Sequence, residues 1–453
     1  SHLEFINASL TELSADLERL GGRLVTRVGE ASAVLEELHA QTGFTHLYSH
    51  IETGNALTYA RDRRVKKWSA ARGVAWLEFA QHGILRGSAP RPEWKLHWDD
   101  LMRSPVAPTP MRLETADLET VQLETLGIQP PAALGLEPNL KTIQPGGSSA
   151  GYALLETFLA GRGREYQRQM SSPEAGWDAC SRLSPHISFG TVSLREVFQR
   201  NLEQFDVYKT SDIVYAKSLQ SLNRRLHWHC HFMQKLEDQP RLEFETMCDA
   251  YVGMRNEQQV DAARLDAWIH GQTGYPLIDA CMRAVRATGW LPFRMRAMVV
   301  SFASYHLWLH WRFTAPLLAQ HFLDFEAGIH YSQFQMQSGV TGINAIRIYN
   351  PVKQAVEQDP DGRFIRTWVP ELAAVPLESL AEPHRMPVML QAMYGIQIGR
   401  DYPNPIVDNA TAMRAARDQV WAVRKAPGTR QAARRVYDKL GSRKEPFHQR
   451  DIR

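Results

Sequence analysis

The spacing of apolar residues predicts alternating helices and strands over the first hundred residues. Leucines that recur every three or four positions are typical of one helical face, and short β-branched or aromatic runs are typical of strands. Ser9 followed by Glu12 has the pattern of a capping box, so we expect the first helix to begin there. In order, the pattern predicts a helix over residues 9–20, a strand over 23–28, a helix over 31–41, a strand over 45–48, a helix over 57–72 and a strand over 74–79.

This alternation predicts a parallel sheet with right-handed crossover connections. An open parallel sheet normally begins with a strand, whereas this sequence begins within a helical pattern. We therefore expect an incomplete Rossmann-like domain over residues 1–103, which lacks about one β-α-β unit of roughly 30 residues.

Residues 104–147 differ in composition from the segments on either side. Seven prolines punctuate them and they lead into Gly-Gly-Ser-Ser, which is typical of a long linker. From residue 148 onward the apolar spacing is helical almost throughout, and it predicts helices over residues 154–159, 192–205, 218–236, 276–288 and 294–311. The predicted fold class is therefore α/β, with an N-terminal parallel-sheet domain, a linker and an all-helical domain over residues 148–453.

Composition excludes several classes of protein. The chain has 453 residues, of which 44% are hydrophobic and 22% charged, as expected for a soluble globular protein of two or three domains. No stretch approaches the roughly 20 continuous apolar residues of a membrane span. Four cysteines without a C-x-x-C pair argue against a disulfide scaffold or a zinc ribbon, and they favour a reducing, cytoplasmic setting.

The formal charge of +3 hides an uneven distribution. Residues 414–453 contain twelve arginines and lysines against four acidic residues. Such a basic segment can attract a polyanion such as DNA. A solvated helix followed by a charged tail explains the same composition, so the charge alone does not identify a nucleic-acid site.

Two segments of the helical part suit ligand binding. Residues 180–193 place five hydroxyl groups and an arginine around a predicted helix start, where free N–H groups and the helix dipole favour a phosphate. An ordinary helix cap explains the same residues. Residues 274–276, Gly-Tyr-Pro, begin the next predicted helix with proline in its first turn, and a Gly-Trp break then precedes a helix with two arginines.

Six short motifs follow one another in a fixed order along residues 181–408. They are Ser-Arg-Leu-Ser-Pro at 181–185, Thr-Gly-Tyr-Pro-Leu-Ile-Asp at 273–279, Gly-Trp at 289–290, Arg-Ile-Tyr-Asn-Pro at 347–351, Asp-Gly-Arg-Phe-Ile-Arg-Thr-Trp-Val-Pro-Glu-Leu at 361–372 and Tyr-Pro-x-Pro-Ile-Val-Asp at 402–408. Together they resemble the helical domain of the photolyase/cryptochrome family. The resemblance implies an N-terminal α/β domain, a long linker and a helical domain that holds FAD.

The resemblance also implies which residues contact FAD. The positions that match the FAD phosphate and ribityl contacts are Tyr166, Ser181, Arg182, Leu183 and Ser184. The positions that match the lining of the isoalloxazine ring are Trp290, Arg296, Asp324 and Glu326. We expect Arg296 to pair with Asp324, because an arginine–carboxylate pair can steady the charge of a reduced flavin ring.

At three flavin positions, Glu326 and two others, this sequence differs from what the family usually carries. Glu326 stands where relatives have Asp, so the acceptor for the flavin imide N–H is one methylene longer. His229 stands where relatives have an arginine that contacts FAD, and His330 matches the position that faces flavin N5. We expect His330 either to donate a hydrogen bond to N5 or to titrate near neutral pH.

The resemblance further implies contacts with DNA. Trp228 matches the residue that packs against a pyrimidine dimer, and Arg294 and Arg347 match arginines that contact the lesion or the DNA backbone. Arg225 stands where repairing relatives carry a glutamate, and Phe293 replaces an asparagine at the lesion side. Because Arg225 and Trp228 are three residues apart on a predicted helix, we expect them to share one helix face.

The electron-transfer chain of the family is only partly present. Trp311 matches its middle tryptophan, whereas Phe334 stands at the flavin-proximal position and no tryptophan lies near Gln258. Trp308 or Tyr305 can form another route, although helical packing explains both. We therefore expect slow light-driven reduction of the bound FAD.

A metal site is a weaker interpretation of the His-rich segment at 227–231. His227 and His231 share a helix face but His229 does not, so further ligands would have to come from elsewhere in the chain. We expect no metal.

The function implied by the resemblance is light-driven, FAD-dependent repair of UV pyrimidine dimers in DNA, by a deoxyribodipyrimidine photolyase-like lyase. The alternative is a cryptochrome-like blue-light photoreceptor that binds FAD and signals through a protein partner. Arg225 and the incomplete tryptophan chain favour the photoreceptor, whereas Trp228, Arg294 and Arg347 favour repair. The sequence leaves the lesion type, the antenna chromophore and the oligomeric state open.

Overall fold

The structure is a computed structural model that describes residues 2–87, 89–115, 126–137 and 143–441. The end of the basic C-terminal segment, residues 442–453, and two stretches of the predicted linker lie outside the described residues. Within the described ranges the chain is mostly helical, with two short strands near its N-terminus.

The regular elements are numbered here in chain order. They are α1 His2–Arg19, α2 Ala31–Thr42, β1 His46–His50, α3 Ala56–Arg72, β2 Ala75–Phe79, α4 Arg91–Arg103, α5 Ser148–Leu159, α6 Tyr166–Gln169, α7 Ala175–Ala179, α8 Ser184–Ser188, α9 Leu194–Tyr208, α10 Ile213–Asp238, α11 Ala262–His270, α12 Pro276–Thr288, α13 Phe293–Ser301, α14 Trp311–Ala319, α15 Ala327–Gln337, α16 Pro351–Gln358, α17 Arg363–Trp368, α18 Leu377–Leu380, α19 Val388–Met393, α20 Asn409–Lys425 and α21 Thr429–Leu440. A π-helical turn covers Phe302–His306, and 3₁₀ turns cover Pro131–Leu134, Arg162–Glu165, Pro240–Glu243, Asp249–Tyr251, Pro370–Leu372 and Pro383–Arg385.

The chain forms two compact units. The first unit comprises residues 1–161, 181–243 and 326–328, and the second comprises residues 162–180, 244–325 and 329–453. Each unit therefore draws on discontinuous parts of the chain. The boundary at residue 148 that composition suggested does not coincide with this division, and it stays a prediction about domains along the sequence.

A two-stranded parallel sheet forms the α/β part of the first unit. β1 pairs with β2 in a register that runs from His46 opposite Ala75 to His50 opposite Phe79, and α3 connects the two strands. These two strands and the helices α2 and α3 confirm the predicted alternation. Asn55 caps α3 by accepting from the backbone of Leu57, as expected for a short polar side chain at a helix start.

The strand predicted over residues 23–28 is wrong. This segment is extended but joins no ladder within the described residues, and its Thr26 carbonyl accepts from the Leu126 amide in the linker at 3.2 Å. A β-branched run becomes a strand only when a neighbouring strand is available, so propensity alone was misleading here.

The predicted capping box is also wrong, because α1 begins at His2 and includes both of its residues. Ser9 Oγ instead accepts from the Gly147 amide at 2.9 Å, and Glu12 Oε1 accepts from the Ser149 amide at 2.8 Å. These bonds satisfy free N–H groups at the start of α5, where the chain offers no side-chain cap of its own. The polar pair thus caps a helix that lies more than 130 residues further along the chain.

The helix predicted over residues 294–311 is interrupted. α13 ends at Ser301, a π-helical turn follows, and α14 begins only at Trp311. Trp308 has a left-handed backbone with φ of 56°, which a continuous α-helix does not allow. The apolar spacing continues through this break, and for that reason it could not be recognised from the pattern.

The core of the second unit is organised around α12, which packs against α11, α13, α16 and α17. Asp279 lies in this helix and has no exposed surface. Its carboxylate accepts from the Thr273 amide and hydroxyl at 2.8 and 2.6 Å, the Gly274 amide at 3.0 Å and the Tyr402 hydroxyl at 2.5 Å. Burial raises the pKa of Asp279, and the hydrogen bonds from these donors partly offset that rise. Two of the six motifs are therefore joined by one carboxylate.

We expect Tyr402→Phe to lower the free energy of unfolding by about 1.5–3 kcal/mol, because it removes a hydrogen bond to a buried charged group. Asp279→Ala should cost more, about 3–5 kcal/mol, since several buried donors lose their acceptor. Urea denaturation followed by circular dichroism measures both values. Tyr394→Phe, at an incompletely buried tyrosine, is the matched control and should change stability little. Equal stability of Tyr402→Phe and the control would contradict the structural role.

Candidate functional site

Arg296 and Asp324 form a two-pronged ion pair in the second unit. Arg296 Nη1 donates to Asp324 Oδ1 at 2.9 Å, and Nη2 donates to Oδ2 at 2.8 Å. This pairing confirms the expectation that the family resemblance gave for these two residues. Parallel N–H···O bonds of this kind fix orientation as well as charge, so the carboxylate and the guanidinium are held in one plane.

Further contacts hold the Arg296 guanidinium in place. Its Nε donates to the Leu291 carbonyl at 2.7 Å, and its carbon atom lies 4.2 Å from the centre of the Phe322 ring. Trp290 is buried beside this segment and meets Trp177 edge to face, with ring centres 5.4 Å apart. The loop between α12 and α13 thus carries Trp290, and its Leu291 carbonyl helps to orient Arg296 in the first turn of α13.

His330 lies on α15 among aromatic side chains of the second unit. Its Nε2 is 2.8 Å from the Ala315 carbonyl, and its ring centre is 4.6 Å from that of Phe334. Because a carbonyl can only accept, Nε2 carries the hydrogen and Nδ1 of the neutral ring can only accept. Burial lowers the pKa of His330 to about 4. The expected titration near neutral pH, and the expected donation to flavin from a neutral ring, are therefore at odds with the structure.

In the first unit, His229 and Glu326 form a second charged pair. His229 Nε2 lies 2.6 Å from Glu326 Oε2, and both side chains are nearly buried. Burial opposes a charge on His229, but Glu326 outweighs it and, with hydrogen bonds to Glu326 and Cys230, raises the pKa of His229 to about 10. Glu326 and His229 thus form a charged pair at two positions that the resemblance assigns to the flavin.

A residue that sequence analysis missed completes this pair. His82 Nε2 lies 3.9 Å from Glu326 Oε1, and the His82 and His229 rings meet edge to face with centres 5.1 Å apart. His82 Nδ1 is buried and has no hydrogen-bond partner among the described residues. One signal could have suggested it, because His82 follows the carboxyl end of β2, where parallel sheets bind ligands.

The Ser-Arg-Leu-Ser segment at 181–184 has an unusual backbone. Arg182 is buried and adopts a left-handed conformation with φ of 61°. Its guanidinium donates to Gln144 Oε1 at 3.2 Å, while Gln144 Nε2 donates to the Arg182 carbonyl at 2.8 Å. Among the described residues no side chain caps α8, but Ser181 Oγ accepts from the amide of Leu183, the residue before the helix, at 3.5 Å. A phosphate contact of Ser181 and Ser184 stays a prediction.

Tyr166 and Leu183 are two further predicted FAD positions. Tyr166 lies in the second unit. It is buried at the first residue of α6. Leu183, from the Ser-Arg-Leu-Ser segment, is almost fully buried in the first unit. Both side chains contribute to the cores of their own units, and their contact with a cofactor stays a prediction.

The exposed face of α10 is basic and ends in an indole. Its exposed residues recur at helical spacing, and no acidic residue lies between residues 213 and 236. Trp228 is 39% exposed, although one side of its ring stacks on Phe232 with centres 5.5 Å apart. Arg225 lies on the exposed side of the same turn. We call this row the α10 stripe, and it consists of Ile213, Lys217, Gln220, Arg224, Arg225 and Trp228.

The other predicted DNA contacts lie in the second unit. Arg294 is partly exposed on α13, and its buried Nε has no hydrogen-bond partner within the described residues. Arg347 is exposed between α15 and α16, and its carbonyl accepts from Ser301 Oγ at 3.1 Å. Phe293, which the resemblance places at the lesion side, is 45% exposed.

The three histidines of the His-rich segment on α10 have different partners. His227 meets Trp94 and Trp98 edge to face, His229 pairs with Glu326, and His231 packs against Trp228. In the described part of the chain, no group of three His, Cys, Asp or Glu side chains is arranged to hold a metal ion.

The aromatic residues of the predicted electron path are buried in the second unit. Trp311 Nε1 donates to Thr246 Oγ1 at 3.4 Å, and Phe334 is packed against His330. The Arg255 guanidinium lies 4.4 Å from the centre of the Trp308 ring and 5.4 Å from that of Tyr305. A cation so close makes either ring harder to oxidise, because an electron hole there would be repelled. These contacts disfavour the alternative route through Trp308 or Tyr305.

Comparison with known families and proteins agrees with the motif order. Residues 221–422 match the family model described as the FAD binding domain of DNA photolyase, and residues 1–89 match the model described as DNA photolyase. The chain is 30% identical over 422 residues to a deoxyribodipyrimidine photo-lyase of Streptomyces griseus, which covers 90% of this chain and 87% of that protein. The chain belongs to the photolyase/cryptochrome family.

Cryptochromes and solved photolyase structures show a comparable sequence identity to this chain. A cryptochrome DASH of Gloeobacter violaceus is 28% identical over 444 residues, covering 92% of this chain and 85% of that protein. Among solved structures, a class III photolyase of Agrobacterium tumefaciens superimposes with a TM-score of 0.80 at 24% identity, covering 94% of this chain and 89% of that one. The fold and the FAD cofactor are thus those of the family.

No helix in the described ranges combines the length and the apolar character that crossing a membrane requires.

Proposed function

We propose that this flavoprotein repairs UV pyrimidine dimers in DNA in a light-driven reaction. The observation that carries the proposal is the α10 stripe, in which Trp228 lies half exposed beside two arginines and one residue before the buried cation His229. An exposed indole offers a stacking face for an unstacked base, and base–aromatic stacking is worth about 1–3 kcal/mol. The stripe without acidic residues attracts the phosphates that flank such a base.

The residues at the flavin positions fit an FAD. Two carboxylates at these positions, Asp324 and Glu326, are held by the cations Arg296 and His229. Charged side chains that are fixed in this way suit the polar edge of a flavin ring, because hydrogen bonds to charged groups are strong and directional. The proposed FAD contacts are Tyr166, Ser181, Arg182, Leu183, Ser184, His229, Trp290, Arg296, Asp324, Glu326 and His330.

Each proposed residue has a distinct task in the reaction. Bound FAD supplies the light-absorbing, electron-donating group. Arg296 and His229 supply positive charge to the flavin. Trp228 stacks on the flipped-out dimer. Arg294 and Arg347 bind the lesion or the adjacent phosphates. Flipping costs a few kcal/mol, and less at a lesion that already stacks badly.

The second candidate is a photoreceptor that binds FAD and signals through a protein partner. Arg225 in place of a glutamate and Phe334 in place of the flavin-proximal tryptophan support it. Both photolyases and cryptochromes occur among the similar proteins, so similarity alone does not decide between the two.

The deciding experiment is a repair assay with chemically reduced FAD, which makes the tryptophan chain unnecessary. We expect light to restore pyrimidines in a dimer-containing oligonucleotide, and Trp228→Ala to reduce repair at least tenfold through lost stacking. Tyr48→Ala removes an aromatic side chain that is 63% exposed on β1 and serves as the control, with repair unchanged. No repair by the reduced wild-type protein would favour the photoreceptor.

Arg225 gives a second prediction about the α10 stripe. We expect affinity for damaged DNA to fall about threefold in Arg225→Ala and about tenfold in Arg225→Glu, because a phosphate contact is lost and then opposed. Fluorescence anisotropy at two salt concentrations measures this, with the exposed Arg63→Ala on α3 as control. If neither variant changes binding or repair, Arg225 is only a surface residue and the photoreceptor gains support.

Light-driven reduction of the bound FAD should be slow in the wild type and at least tenfold faster in Phe334→Trp. Phenylalanine relays an electron less readily than tryptophan, and Arg255 disfavours the route through Trp308. The rate is followed by flavin absorbance under blue light with an external electron donor. Phe364→Trp, at another buried phenylalanine, controls for the added volume. Fast reduction of the wild type would show that another aromatic path operates.

A further inference from the structure

The cluster of His82, His229 and Glu326 brings two imidazole rings to one buried carboxylate. One carboxylate oxygen lies 2.6 Å from His229 Nε2, and the other lies 3.9 Å from His82 Nε2. The Glu326 side chain is 11% exposed, and both histidine rings are less than 15% exposed. A carboxylate in such a place can balance one positive charge but not two.

The two histidines differ in their proton affinity for physical reasons. Glu326 raises the pKa of His229 to about 10 against the effect of burial. Burial holds the pKa of His82 well below its usual range, and the charges of His229 and His50 lower it further. The two rings are too close for both to be charged, since their centres are 5.1 Å apart.

We propose that His82, His229 and Glu326 form one proton-holding unit, in which His229 carries a single positive charge and His82 is the alternative acceptor of that proton. The proposal deepens the proposed function, because it rests on the flavin contacts assigned to His229 and Glu326. An arginine at this place would hold a permanent charge, whereas His229 is a cation that can be lost at high pH. His82 is a positioning residue, which acts on the flavin only through Glu326 and His229.

The groups that face the two rings come from three parts of the first unit. Glu326 precedes α15, Cys230 lies on α10 with its Sγ 3.8 Å from His229 Nδ1, and His50 ends β1. Among these groups Glu326 supplies the negative charge. When the positive charge of His229 is removed, Glu326 has no cation beside it. We therefore expect His82 to bind a proton in its place.

Nuclear magnetic resonance of the FAD-loaded protein with ¹³C- and ¹⁵N-labelled histidine tests this exchange. We expect one ring in the wild type to stay doubly protonated through pH 8, and His229→Gln to remove its signal. In His229→Gln, the signal that His82→Asn removes should show a doubly protonated ring at pH 7, whereas in the wild type it is neutral. A neutral His82 in His229→Gln would overturn the proposal.

Two further variants separate coupling from altered folding. His229→Arg keeps a cation beside Glu326, so His82 should stay neutral at every pH between 6 and 9. Glu326→Gln removes the anion, so both rings should be neutral at pH 8. A protonated His82 in either variant would overturn the proposal, and the arginine variant remains informative if His229→Gln does not fold.

A second readout tests the link to the flavin. The midpoint potential of bound FAD should depend more steeply on pH between 8 and 10 in the wild type than in His229→Arg. If the histidine signals behave as expected but the two potentials respond alike, the proton-holding unit stands and the assigned flavin contact fails. If the potentials differ but His82 never takes up the proton, the flavin contact stands and the two-histidine unit is overturned.

Discussion

Replacing Asp324 by asparagine is expected to weaken FAD binding roughly 100-fold, so that the purified protein loses most of its yellow colour. Removing one partner of a buried ion pair costs about 3–5 kcal/mol, and the partial exposure of Arg296 places this pair at the lower end of that range. The Arg296 guanidinium would keep its bond to the Leu291 carbonyl but lose both carboxylate bonds. Flavin content per protein and FAD titration of the apoprotein measure the effect.

The second unit offers a matched control for this variant. Arg283 and Glu371 form another arginine–carboxylate pair, 2.8 Å apart, with both side chains about one quarter exposed. Neither residue has a proposed flavin contact, so Glu371→Gln should keep the flavin content of the wild type. Equal flavin content in Asp324→Asn and Glu371→Gln would show that the pair of Arg296 and Asp324 does not support the cofactor.

We expect the free energy of unfolding to fall as the pH is lowered from 6.5 towards 4, before ordinary carboxylates are fully protonated. Burial lowers the pKa to about 4 at five histidines: His186, His306, His310, His321 and His330. In the unfolded chain each of them binds a proton near pH 6.5, so the unfolded state takes up more protons between pH 6.5 and 4. The stabilisation is therefore complete above pH 6.5 and is lost as the pH falls towards 4, by at most roughly 3 kcal/mol per histidine.

Urea denaturation at pH 7.0, 5.5 and 4.5 measures this loss. His186→Gln should flatten the pH dependence, because His186 has no exposed surface and its Nδ1 lies 2.8 Å from Thr191 Oγ1. Glu237 acts in the opposite direction, since burial raises its pKa to about 7 and favours the folded state at lower pH. A free energy of unfolding that is the same at pH 7.0 and 4.5 would contradict the prediction.

Sequence patterns predicted helices and strands best where residues close in sequence determine their ends. The helix over residues 276–288 was predicted at both ends, because a proline opens it and a glycine with positive φ closes it. The strands β1 and β2 were also found. The strand over 23–28 and the capping box at Ser9 failed, since their hydrogen-bond partners lie in the linker and at α5.

The same reasoning explains what could be predicted of the candidate site. Arg296 and Asp324 were paired correctly because the family resemblance placed both at positions that line the flavin ring. His82 was missed because its partner Glu326 is remote in sequence, and a position after the carboxyl end of β2 is a weak signal when no motif surrounds it. Conversely, Asp279 ends one of the six motifs, yet its carboxylate serves the packing of α12.

The bond between Tyr402 and Asp279 has a consequence for synthesis of the protein. The two residues are 123 positions apart, so at typical elongation rates of 5–20 residues per second the ribosome adds Tyr402 about 6–25 s after Asp279. During that interval the nascent chain cannot satisfy the Asp279 carboxylate with the tyrosine hydroxyl. The core around α12 is therefore completed late, and chains that stall before residue 402 are released with this core unfinished and open to proteases.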